Sequence, residues 1–304
     1  MNLNKKILHI VFGLWTLIVY SQSGLNAFLK PSDSLIKSRR NAVIISETAL
    51  GTVSLLALNE LWYADYPRSN FHTLDDTNEW LQMDKLGHVY SAYQLGRVGA
   101  DVLNWSGVSE KNQLIYGGTL GFTFLTAVEI LDGFSEEWGF SWGDMAANAT
   151  GTGLFIGQEL LWHEQRITMK YSFHRTQYAS QRPDKLGDGL AEEFLKDYNG
   201  QTYWLSVNIQ SFFKKSKIPT WLNVAFGYGA DGMLTGQDEP ENNLFQNQNR
   251  VRQFYLSLDI DLTRIKTNSH VLKTVFALFN TIKVPFPTME FNEENGISFH
   301  GIYF

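Results

Sequence analysis

Cysteine is missing from all 304 residues. That absence excludes disulfides, a thiol nucleophile, thiolate zinc ligands and a lipobox cysteine for lipid attachment. Clustered positive charge is also missing. Lys and Arg number 25 against 31 Asp and Glu, giving a net charge of −6, and the basic residues are scattered. No nucleic-acid footprint results. There is no G-x-S-x-G elbow, no H-E-x-x-H pair and no phosphate loop, so the common serine-hydrolase, zinc-protease and nucleotide signatures are absent. Mean hydropathy is −0.19, below what a conventional polytopic membrane protein would show.

What is present begins at the N-terminus. Lys5 and Lys6 precede an apolar run from Ile7 to Tyr20, followed by Ser21, Gln22 and Ser23. Basic, apolar and small-polar zones in that order predict a secretory signal peptide over residues 1–22. The chain is thus expected to be exported, to the periplasm or outer membrane of a Gram-negative cell. Length allows two domains or one large one. Residues 23–165 read as helical, with long apolar runs at 41–63, 79–104, 111–132 and 142–163. Asp76 with Glu79 suggests a capping box, Ser109 another helix start, and Ser141 with Asp144 a third. Closely spaced small residues (Gly96 and Gly99, Gly117 and Gly121, Ala147 and Gly151, Gly153 and Gly157) allow close helix approach.

After Gln165 the period becomes two. Residues 167–175, 201–213, 221–230 and 251–265 alternate or are dense in β-formers, with short helices expected at 187–197 and 269–280. The final segment, ending at Phe304, resembles the closing strand of an outer-membrane barrel. Five or six strands are fewer than the eight of a small barrel. The expected class is α+β: an N-terminal helical bundle followed by a β-rich, outer-membrane-type region at 166–304, barrel-like if its strands close. A membrane, the outer one in particular, is the expected partner.

Charged residues inside the apolar helices are the candidates for chemistry. Asp84 and His88 are four apart, Glu129 and Asp132 three apart, Asp144 and Asn148 four apart, so each pair shares a helix face. Lys85 adds a cation. Buried polar groups are costly unless networked. His88, Asp84 and Glu129 are therefore candidate catalytic groups, and Lys85, Asp132, Asp144 and Asn148 candidate binding groups. Such a set suits either a divalent cation held by hard oxygens and one nitrogen, or general acid–base work. It also suits a purely structural network. No particular cofactor follows from the spacing. Gln158 is expected to face the same interior as Asn148.

The motifs DKLGH (84–88) and EILDGFSEEWGFSWGDMAANATGTGLF (129–155) resemble the YfiM-type predicted periplasmic lipoproteins, over roughly residues 80–165. A looser similarity is to VanZ-like membrane proteins, which share D-K-x-x-H, a later Glu and D-x-x-x-N, matched here by Asp84, Lys85, His88, Glu129, Asp144 and Asn148. The resemblance implies a cell-envelope location and a helical bundle, and supplies no reaction. The missing cysteine departs from the lipoprotein pattern. Three functions compete: a structural or binding role in the envelope, an envelope hydrolase or lipid-modifying enzyme built on His88, and a pore or transport component, which would need a complete barrel.

Overall fold

A computed structural model describes residues 23–64, 66–237 and 249–303. The signal-peptide segment, residues 238–248, which cover most of the loop that the sequence GQDEPENN (236–243) predicts, and Phe304 lie outside the described residues. Among the described residues, four long helices build the first half: α1 Lys37–Leu58, α2 Met83–Trp105, α3 Leu120–Asp132 and α4 Trp142–Trp162. One π-helical turn, Asn59–Tyr63, extends α1, and another, Gln113–Gly117, leads towards α3.

Glycines decide how closely these helices cross. A Cβ on Gly121 would stand 2.3 Å from the Ala92 carbonyl, one on Gly151 2.1 Å from the Val89 carbonyl, and one on Gly99 2.7 Å from the Gly117 carbonyl. Backbone thus meets backbone along α2, the central helix. Gly153 and Gly157 have nothing within 4 Å, so that last pair of small residues makes no helix crossing.

Six antiparallel strands follow in sequence order: β1 Ile167–Phe173, β2 Gln201–Asn208, β3 Leu222–Asp231, β4 Val251–Ile260, β5 Phe286–Asn292 and β6 Gly296–Tyr303. Among the described residues, the two longest helices beside them are α5 Leu190–Lys196 and α6 His270–Phe279. Residues 209–213 leave the expected strand because Asn208 accepts the Ser211 N–H (2.9 Å) and caps a helical turn. β5, with Pro285 and Pro287 at its start, reads poorly as a strand, yet it pairs with β4 and β6 across an irregular register at Phe286.

The sheet is open. β1 and β6 do not pair among the described residues, and Tyr171 on β1 instead exchanges hydrogen bonds with Thr281 and Lys283. A closed barrel is therefore not supported, and with 48% helix against 21% strand the molecule is mixed rather than dominated by β structure. The sheet nonetheless curls. Lys170 on β1 reaches Asp259 on β4 at 2.7 Å with both side chains fully buried, and Thr202 on β2 meets Tyr303 on β6 at 3.1 Å. Gly227 makes room for Trp204, whose ring a Cβ there would meet at 2.7 Å.

The inner face is polar and buried: Lys170, Ser206, Asn208, Asn223, Asp259 and Thr288. The outer face is apolar. Against β1 and β2 it packs on the helices, where Met83, Tyr171 and Tyr203 form one cluster and Tyr93 and Met169 another. Over β3 to β6 it is uncovered, with Phe226 52% and Phe299 71% exposed. A soluble sheet has the opposite polarity.

Candidate functional site

The site forms where α2 begins, α3 ends and α4 begins. The sequence predicts one helix from residue 79, but Trp80, Leu81 and Gln82 hold left-handed backbone angles (φ 46°, 50° and 66°), and the regular helix starts at Met83. The Trp80 N–H leaves the helix to bond the Gly236 carbonyl at 2.7 Å. Asp76 makes no cap. It accepts the Ser141 hydroxyl at 2.6 Å and lies 2.7 Å from Lys85 Nζ. The expected Ser141 cap is present, its hydroxyl accepting the Asp144 N–H at 3.1 Å. That cap fixes Asp144 at the first turn of α4, pointing at α2.

Lys85 and His88 divide the carboxylates between them. Lys85 Nζ donates to Asp84 Oδ2 at 3.1 Å and to Asp144 Oδ2 at 2.9 Å. It also lies 2.9 Å from Asp144 Oδ1, outside hydrogen-bond geometry. His88 Nδ1 pairs with Asn148 Oδ1 at 3.0 Å. With the amide oxygen as acceptor, Nδ1 carries the proton and Nε2 turns to the acids. Nε2 lies 3.6 Å from Glu129 Oε1, 3.9 Å from Asp144 Oδ1 and 4.0 Å from Asp84 Oδ1. Glu129 Oε1 and Asp144 Oδ1 are buried and accept no hydrogen bond. The other Glu129 oxygen accepts the Ser141 N–H at 3.1 Å.

Five carboxyl groups, those of Asp76, Asp84, Glu129, Asp132 and Asp144, thus gather near one lysine. Asp132 sits at the edge, its Oδ1 accepting the Tyr63 hydroxyl at 2.6 Å. Tyr198 donates to Asp84 Oδ1 at 2.7 Å. Burial, then the Asp84 charge, push the Tyr198 hydroxyl well above its ordinary pKa, so it remains a donor. Gln158 is elsewhere: it binds the Leu154 and Ile167 carbonyls and ties α4 to β1. Asp76, Tyr63 and Tyr198 escape a reading by helical spacing. Tyr198 lies 114 residues from Asp84, and only tertiary folding joins them.

The donor set fits a divalent ion. Ligand atoms of Asp84, His88 and Asp144 all lie within 4.8 Å of one another. Around a tetrahedral ion with bonds of ~2.1 Å, ligand atoms stand about 3.4 Å apart, so small side-chain shifts would complete the shell. One imidazole nitrogen with carboxylate oxygens suits Zn²⁺ or Mn²⁺ better than Ca²⁺. The cluster lines a cavity of about 950 Å³ that also reaches Leu95, Phe124, Leu125, Val128, Tyr171 and Tyr203.

No curated protein and no solved structure matches the chain. The looser VanZ-like resemblance is not shown. Residues 73–157, which carry every residue of the cluster except Tyr63 and Tyr198, match the model of a family described as predicted periplasmic lipoproteins (DUF2279), a description that agrees with an exported protein of the periplasm or outer membrane.

Proposed function

We propose that this is a membrane-associated envelope protein whose helical half binds a divalent cation between His88, Asp84, Glu129 and Asp144. One observation carries the reading. His88 Nε2 faces three carboxylate oxygens at 3.6–4.0 Å; of these Glu129 Oε1 is buried with no hydrogen bond, and Asp144 Oδ1, also without one, keeps only its ion contact with Lys85 at 2.9 Å. A buried carboxylate oxygen left unpaired costs free energy that a structural network would have avoided. Lys85 holds the far oxygens of Asp84 and Asp144 and the Ser141 N–H that of Glu129, while Tyr198 donates to the Asp84 oxygen that faces the imidazole. Asn148 fixes the ring, as the outer partners of metal-bound histidines do. The test is a Zn²⁺ and Mn²⁺ titration of chelator-treated full-length protein in detergent. One ion should bind per chain, and His88→Ala should lose it. A wild type that binds neither ion would end the reading.

A hydrolytic or lipid-modifying role is the second reading, supported by the centre's place on the wall of a cavity rather than in a closed core. A bound ion would supply Lewis-acid polarisation there. His88 and the carboxylates would orient the ligand and hold protons.

The membrane attachment rests on the inverted polarity of the sheet. Its buried face carries Lys170, Asp259 and Asn223, while Phe226, Phe254, Ile297 and Phe299 point outwards, the arrangement of lipid-facing β structure. Recovery of the wild type in the soluble periplasmic fraction, without detergent, would contradict attachment.

A further inference from the structure

The helical half carries the same outward apolarity as the sheet. α1 has 22 residues and the segment Glu110–Asp132 has 23, both long and apolar enough to cross a membrane. At 1.5 Å per residue they measure about 33–35 Å, matching a hydrocarbon core of about 30 Å. Ile45, Leu50 and Leu56 on α1 are each about two-thirds exposed. The two segments run side by side, since Ile36 bonds Ser106 at one end and Tyr63 bonds Asp132 at the other. The first end carries Lys37, Arg39 and Arg40, with Arg39 stacked 4.5 Å over Trp105. The second carries Tyr63, Tyr66 and Trp138 in edge-to-face contact. Basic and aromatic residues at both ends of an apolar stretch mark the two interfaces of a bilayer.

In that frame the His88 centre stands at headgroup level, beside the Tyr63–Trp138 belt. The cavity descends from it into the bilayer zone. Eleven residues separate Asp84 from Leu95, about 16 Å along α2. Away from the cluster the cavity is lined by Leu95, Phe124 and Leu125, with Val128 nearer Glu129, and Phe194 and Leu195, also lining it, are 43% and 48% exposed. It therefore joins the polar cluster to an apolar wall of Leu95, Phe124, Leu125 and Val128, with Ser91 and Gln94 beside Leu95. We infer that its ligand is a membrane lipid, which places an acyl chain along Leu95, Phe124 and Val128 and its headgroup at the His88 centre. The inference rests on the proposed membrane attachment and names the class of molecule that the same centre would meet. A water-soluble metabolite would have no use for the apolar arm.

The experiment uses full-length protein in vesicles of phosphatidylethanolamine and phosphatidylglycerol doped with a phospholipid whose acyl chain carries a diazirine. Irradiation followed by peptide mapping should place cross-links on residues 91–95 and 124–128. Leu95→Trp should cut that labelling at least fivefold, while metal content and labelling of outward residues such as Ile45 and Leu50 stay unchanged. Cross-links confined to outward residues would overturn the inference, and so would interior labelling that Leu95→Trp leaves intact. Because labelling needs no metal, a protein that binds lipid here yet takes up no ion would discard the cation reading and keep this one.

Discussion

His88 shows how one side chain can be committed from both sides. Asn148 holds Nδ1, and the carboxylates surround Nε2. Replacing Asn148 with Ala removes no ligand, yet it should weaken metal affinity about 10–100-fold, as loss of an outer partner does. Isothermal titration of the chelator-treated variant checks this. Stability should respond differently. Residues placed for binding sit at a cost to packing, so Asp144→Asn in chelator should melt at or above the wild-type temperature. A drop of several degrees would favour a structural network. Lys170 provides the contrast. Its Nζ pairs with Asp259 where both side chains have no solvent exposure. Lys170→Met should destabilise by roughly 3–5 kcal/mol because it strands a buried carboxylate, and a shifted denaturation midpoint would record it.

At the scale of elements, the glycines of α4 separate contact with α2 from coincidence. Gly151→Ala drives a methyl into the Val89 carbonyl and should cost about 1–3 kcal/mol. Gly153→Ala and Gly157→Ala meet open space and should be neutral or stabilising by up to ~1 kcal/mol, from helix propensity alone. Thermal scans in detergent would rank the three. Spacing by itself reveals that small residues recur, but not which helix lies opposite them. The same limit explains the reading of the site. The i, i+4 pairs Asp84–His88 and Asp144–Asn148 were legible because helical geometry is local. Asp76, Tyr63 and Tyr198 were not, since a left-handed run at Trp80–Gln82 and a distant loop bring them in. β5 stayed hidden behind its two prolines, and the turn after Asn208 behind a run of apolar residues.

Across the whole molecule, polarity is inverted in both halves. The sheet is polar within and apolar without, and α1 is apolar with almost none of its surface buried. Lys in place of Leu50 or Val53 should cost about 2.5–3.5 kcal/mol each if those positions sit mid-bilayer. Carbonate extraction would then release the double variant while the wild type stays in the pellet. Equal retention of both would remove α1 from the membrane. The central claim about the site's chemistry is the cation at His88. Anomalous diffraction at the zinc edge, from crystals of the zinc-loaded full chain, tests it most directly. The account predicts one strong peak about 2.0–2.2 Å from His88 Nε2 and from oxygens of Asp84 and Asp144. A zinc-loaded crystal with no peak there, and Lys85 still bridging Asp84 and Asp144 around an empty centre, would contradict it.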